Sequence, residues 1–165
     1  MMTHVIEKAA NVPATGPLAD ALAMRGKLMD LTQASYEAAL LPGDEGQVPA
    51  IVRAALACRM ARICQQAGLS RHYADLLQGY GSDADPYQLA EPGTKPPESD
   101  KRLGAMVAYV DLVTQSPRDA TKEDIQALMQ AGIEEADIVR LAGLVAFVNY
   151  QLRVTAVLSV MGETS

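Results

Sequence analysis

Two cysteines and a histidine fall within one short stretch, ALACRMARICQQAGLSRHY, Ala55 to Tyr73: Cys58, Cys64 and His72. A thiol near an imidazole is the raw material of peroxide reduction, because the thiolate is the nucleophile and the histidine can take its proton. The spacing restricts that chemistry. On one helix, six residues turn the chain by about 600° and raise it by about 9 Å, so the two thiols point roughly 120° apart. A disulfide needs Cα atoms within about 7 Å, so this pair cannot close without unwinding the helix. Both cysteines then read as small, half-buried apolar residues. Cys64 has the stronger claim to reactivity, since Arg62 and His72 beside it would lower its pKa. A one-cysteine reaction through a sulfenic acid is the thiol chemistry that remains. His72 reads either as a general base or proton shuttle near neutral pH, or as a helix-surface histidine beside Tyr73.

Other polar groups are candidates for binding. Arg53, Arg59 and Arg62 share the helix of the cysteines, and could anchor a substrate carboxylate or form a solvated or subunit-contacting face. Asn149 and Arg153 are four apart on the last helix, so they share a face. They would line a pocket, or belong with Arg140 to a network tying that helix to a loop or a second subunit, with Asp111 as a partner for one of these arginines. No metal site is expected: the only other histidine is His4, and no His/Cys/Asp/Glu group has ligand spacing. No cofactor motif is present either. Gly79-Tyr80-Gly81 lacks the lysine and the strand of a phosphate loop, and two histidines support no Ser-His-Asp order.

The 165 residues suit one domain. Tryptophan is absent, phenylalanine occurs once, and the net charge is −6. That charge excludes a nucleic-acid binder, which needs a basic stripe, and disfavours an anionic membrane surface. Ile138 to Val160 is the most apolar run, but Arg140, Asn149, Gln151 and Arg153 interrupt it. A buried core helix is expected there rather than a membrane span. The N-terminus has no signal-peptide pattern, and the expected location is cytoplasmic, with reduced thiols.

The elements that must hold these residues are helical. Residues 1–16 read as a loose arm, and 17–165 as one domain with halves 17–79 and 99–162. Pro17 opens a first helix along Leu18, Leu22, Met29, Tyr36 and Leu40, stopped by Pro42-Gly43. A second runs from about Val48 to Ala67 with Gly68 as its stop, and Ser70 caps a third to about Gln78. The Pro/Gly-rich segment 80–98 reads as a long loop, a feature commonly functional or mobile. Ser99 caps the next helix along Leu103, Met106, Val107, Val110 and Val113, which Ser116-Pro117 breaks. Thr121 and Asp124 form a capping box for a short helix ending at Gly132. The last helix starts near Glu134. A faint internal echo, Leu76–Asp85 against Leu128–Asp137, is compatible with a duplicated helical unit. The expectation is an all-α domain of about six helices in two halves, its methionines filling the core.

The segment Arg102 to Arg153 carries a resemblance. Leu112, Thr114 and Pro117, then Thr121, Asp124, Leu128 and Gly132, then Ala146, Phe147, Asn149 and Arg153 resemble the alkylhydroperoxidase D-like and carboxymuconolactone decarboxylase families, in particular their peroxidase-related branch. The similarity spans roughly residues 18 to 160. It implies an all-α fold, a homo-oligomer and a link to antioxidant defence. Redox members of that family carry a relay Glu-x11-Cys-x2-Cys-x3-His. Anchored at His72, the relay falls on Arg53, Gln65 and Gly68, and only the histidine matches. Shifted by one, Cys64 takes the first position but Ala67 and Arg71 take the others.

Three functions follow. One is a peroxidase-related oxidoreductase, with His72 and Cys64 as its catalytic residues. A second is a non-redox, decarboxylase-like enzyme acting on a small carboxylate or lactone, with His72 as acid/base and Arg53, Asn149 or Arg153 binding substrate. The third is a binding or scaffold protein that kept the fold and lost the chemistry.

Overall fold

The computed structural model describes residues 4–81 and 85–163. The chain is all-helical, with no strand among the described residues. Among the described residues, eight α-helices run in the order α1 (Val5–Ala9), α2 (Pro17–Ala23), α3 (Gly26–Leu40), α4 (Ala50–Ile63), α5 (Ala67–Gln78), α6 (Lys101–Gln115), α7 (Lys122–Gln130) and α8 (Glu135–Glu163). Short 3₁₀ turns occupy Asp85–Ala90 and Pro117–Asp119. The expected echo between the halves crosses 82–84, outside the described residues.

α4 is the centre of the molecule. Every residue from Val52 to Met60 is buried, and Ala61 with them. Alanines at 54, 55, 57 and 61 keep the helix thin, so α5, α6, α8 and the 3₁₀ turn at Asp85–Ala90 all pack against it. α8 is long and apolar enough to cross a membrane by length and composition. Here it packs against α1, α3, α4, α6 and α7. A second, smaller apolar cluster of Ile6, Ala10, Leu18, Met29 and Leu158 joins α1, α2 and α3 to the end of α8.

Four boundaries differ from the sequence expectation, each for a local reason. The first long helix is two, interrupted at Met24-Arg25 just before Gly26, a weak helix former. α4 ends at Ile63, short of Gly68. Gln65 takes a left-handed φ of 55°, and the N–H groups of Gln65 and Gln66 reach back to Arg62 and Ala61 carbonyls at 3.1 and 3.0 Å. That is the pattern a C-terminal glycine usually makes, built on a glutamine. The next helix is capped by Gln66, whose side chain accepts from the Leu69 N–H at 2.7 Å, rather than by Ser70. Asp100, rather than Ser99, caps α6.

The N-terminal segment departs furthest. Expected as a loose arm, it forms α1 with Ile6 and Ala10 buried. His4 holds its start, meeting Glu7 at 2.5 Å and Asp30 of α3 at 3.0 Å, while the Val5 N–H donates to Gln33 at 3.1 Å. The loop 80–98 also carries structure: Leu89 and Ala90 are buried against α4.

Candidate functional site

The relay positions of the resembled family are all structural here except the histidine. Arg53, expected to bind substrate, is 2 % exposed, and each nitrogen of its guanidinium donates to backbone: Nε to Val48 O at 2.7 Å, Nη1 to Ala39 O at 2.9 Å and Nη2 to Glu45 O at 3.1 Å. Ala39 lies in the last turn of α3, where carbonyls lack helical partners and a cation is favoured. Arg53 therefore closes α3 and the following turn. Gln65 is an exposed residue of the α4–α5 turn. Gly68 stands in the first turn of α5, directly against the end of α1. A Cβ there would lie 1.8 Å from the Ala9 carbonyl oxygen. This glycine permits a backbone-to-backbone approach; it is no helix stop.

The thiols are apart. Cys58 is fully buried and points its sulfur at Ser70 O, 3.7 Å away; Cys64 caps the end of α4 and is exposed. Arg62 is turned away from Cys64, to Glu91 at 2.8 Å and Ala90 O at 3.2 Å. Burial raises the Cys64 pKa, with the charge of Arg153 opposing it, and burial likewise raises Cys58. The expected lowering of Cys64 by Arg62 and His72 is therefore corrected: both thiols stay protonated at neutral pH, and thiolate is what reacts.

His72 faces an aromatic group instead. It is half-buried, and its Nε2 shares a hydrogen bond of 2.9 Å with the Tyr36 hydroxyl. Its ring lies edge-on to Tyr36 and Tyr73, at centroid distances of 5.5 and 5.2 Å. The buried Tyr73 hydroxyl donates to Gln151 Oε1. Burial lowers the His72 pKa, Lys8 adds to the lowering and Asp75 opposes it. Burial pushes Tyr36 up to about 12, aided by Tyr80 and Glu37. At neutral pH the pair is a neutral imidazole bonded to a neutral phenol, a unit able to pass one proton. Tyr36 enters the sequence reading only as part of an apolar stripe and Gln151 only as an interruption of an apolar run; their hydrogen-bond roles are hidden because a hydroxyl or amide on such a face carries no periodic signal for its partner.

Asn149 and Arg153 form a pair on α8: Arg153 Nη1 donates to Asn149 O at 2.8 Å and to its Oδ1 at 3.1 Å, while Asn149 Nδ2 donates to Val145 O. Arg140 belongs to a separate tie, holding Asp137 at 2.9 Å and Asp44 at 2.5 Å and so fixing α8 to the loop before α4. Asp111 is the partner of Arg59, not of these arginines. Arg59 is 2 % exposed and grips both Asp111 oxygens, at 2.6 and 2.7 Å. Its Nη1 also donates to the carbonyls of Leu89, Glu91 and Thr94. Arg59, expected to anchor a substrate carboxylate or to lie on a solvated or subunit-contacting face, is therefore a buried anchor for the loop.

Among the described residues, two concave surfaces stand out, and neither is lined by Cys64, His72 or Arg153. A shallow groove of about 300 Å³ lies between α3 and α8, along Leu28, Leu31, Thr32, Ser35, Phe147 and Tyr150. A deeper cleft of about 420 Å³ lies beneath segment 93–100, between the loop and α6, with Arg59 and Asp111 at its inner end. Among the described residues, no group of three or more His, Cys, Asp or Glu side chains is placed to hold a metal ion.

With this geometry in place, comparison with known proteins gives a likeness at the level of the fold. No family model matches the chain, and no curated protein matches it. A solved structure does: an uncharacterized peroxidase-related protein from Silicibacter sp. TM1040. It superposes with a TM-score of 0.69 over 95 % of this chain and 92 % of that one, at 16 % sequence identity. The two proteins share a fold.

Proposed function

We propose that this chain keeps the peroxidase-related fold without dithiol peroxide reduction and acts as a small-molecule-binding protein. The observation that carries this reading is the contact at Gly68. The position where the resembled relay needs its second cysteine has no room for a Cβ, because the Ala9 carbonyl already occupies that space. Arg53, at the glutamate position, is committed to three carbonyls and is 2 % exposed, so it is closed off from a substrate. The formed cleft beneath segment 93–100 supports binding. The chain works in our reading as a cytoplasmic homo-oligomer.

The test is turnover of cumene hydroperoxide with a dithiol reductant. The expected rate equals that of a Cys58→Ser/Cys64→Ser variant. Dithiol-dependent turnover that disappears in Cys64→Ser overturns the reading. A second function, acid/base chemistry on a carboxylate or lactone, is favoured by the His72–Tyr36 hydrogen bond alone. Lactone or carboxylate turnover that survives loss of both cysteines and disappears in His72→Ala would establish it.

A further inference from the structure

We infer that the cleft beneath segment 93–100 binds a short organic acid that carries a hydrogen-bond donor at its far end. The inference deepens the binding reading above by naming the site and the ligand class.

The cleft is built rather than incidental. Arg59 pins one end of the segment through the Leu89, Glu91 and Thr94 carbonyls. Asp100 pins the other by capping α6, accepting from the Leu103 N–H at 3.0 Å. Between these anchors the chain reads Lys95-Pro96-Pro97-Glu98, and consecutive prolines hold it stiff. The span therefore stands off α6 without collapsing onto it, and a preformed, half-enclosed volume of about 420 Å³ is of ligand size.

Its wall on α6 is Gly104, Val107, Ala108 and Asp111, spaced three, four and seven apart and thus on one helix face. Gly104 leaves that wall open: a Cβ there would meet nothing within 4 Å. The body of the ligand is accordingly apolar. Asp111 closes the inner end. Arg59 takes one bond on each of its oxygens, whereas a carboxylate has about four acceptor sites. Asp111 is 27 % exposed, so the remaining sites accept from a donor in the cleft. At the outer end stand Lys95 and Lys101, neither with an ion-pair partner among the described residues. They suit a carboxylate or a phosphate. Glu98 and Asp100 flank them and offset their charge, but Asp100 is committed to the Leu103 N–H, so the lysines serve the acid as charge-assisted hydrogen-bond donors more than as a net positive field. Lys101 and Asp111 are ten residues apart, about 15 Å along the helix, and flexible lysine side chains shorten the distance to be spanned.

The probe is 6-aminohexanoate, with hexanoate and hexylamine as controls that each lack one end. Binding to the full chain is followed by amide NMR shifts. Saturable shifts at Gly104, Val107, Ala108 and segment 93–100 are expected, with each control binding about tenfold more weakly for its lost end. Lys95→Ala/Lys101→Ala should weaken 6-aminohexanoate to the level of hexylamine. Gly104→Leu fills the cleft in open space and should abolish binding while the helical circular dichroism is unchanged. Absence of saturable shifts, equal binding of either control, or binding retained in Gly104→Leu overturns the inference. Hydroperoxide turnover is measured separately, so failure at the cleft and failure of the reading it rests on give different results.

Discussion

His72 shows how one side chain can keep its position and change its surroundings. Its imidazole sits where the resembled relay has a histidine, yet its partner is the Tyr36 hydroxyl, not a thiol. Burial and Lys8 hold its pKa down. A histidine lowered in this way makes the folded state the weaker proton binder. Its contribution to stability is present above about pH 6.5 and is lost as pH falls through the lowered folded value. Acidification from neutral pH should therefore destabilise the native chain more than a His72→Gln variant, which keeps a polar partner for Tyr36 and has no proton to gain. Denaturant midpoints at pH 7.5 and pH 5 measure this directly. His4 has the opposite sign. Burial opposes its protonation, but hydrogen bonds and charges from Asp30 and Glu7 outweigh burial and raise it. Its contribution is present below about pH 6.5 and is lost as pH rises through the raised value. Parallel titration of His4→Ala should thus show the larger deficit in acid, and equal deficits at both pH values would refute this role for His4.

At the scale of elements, the contact between α1 and α5 makes a sharper prediction. Gly68→Ala places a methyl 1.8 Å from the Ala9 carbonyl, so α1 must lift. Overpacking of this kind costs about 1–3 kcal/mol, and release of α1 sets the ceiling. In a chain lacking residues 1–12 the same change should be neutral or stabilising by up to about 1 kcal/mol, since alanine outranks glycine in a helix. The double-mutant cycle should therefore show strong coupling between Gly68 and the N-terminal segment. Arg59→Met should cost about 2–4 kcal/mol, because it strands a partly buried Asp111 and three carbonyls, and should speed proteolysis within 89–100. These same elements mark the limit of what the sequence displayed. The apolar stripes of α3, α6 and α8, the Thr121–Asp124 box and the Gly132 stop were legible because local spacing dictates them. The end of α4 was not, since a glutamine took the left-handed turn normally signalled by glycine. Gly68 looked like a stop because a close approach by a distant segment leaves no trace in neighbouring residues. The burial of Arg53 and Arg59 was equally hidden, since their partners are mostly carbonyls of distant turns, which every residue carries.

For the whole molecule, the likeness to a peroxidase-related structure at 16 % identity separates what a fold needs from what a reaction needs. A helical core requires a burial pattern, which many sequences satisfy; a dithiol relay such as the resembled family's requires four named side chains at fixed spacing, and anchored at His72 that pattern falls on Arg53, Gln65 and Gly68. Our binding reading therefore looks to the surfaces the fold presents. One of these is apolar. Leu28 and Leu31 on α3 are 49 % and 56 % exposed, Tyr150 and Val157 on α8 are 42 % and 59 % exposed, and the groove between α3 and α8 has Phe147 in its wall. An apolar surface of this kind is costly to leave in water, and it is the surface we propose for self-association. Around a two-fold axis the same groove would meet itself, so a charge placed at Leu31 would appear on both sides of the contact. Light scattering of the native chain should give a multiple of the 17.6 kDa subunit. Leu31→Glu should weaken association by about a hundredfold or more, equivalent to roughly 2.7 kcal/mol, and leave a monomer with unchanged helical content. Association that persists in Leu31→Glu would place the contact elsewhere, and a native chain that scatters as a monomer would remove it.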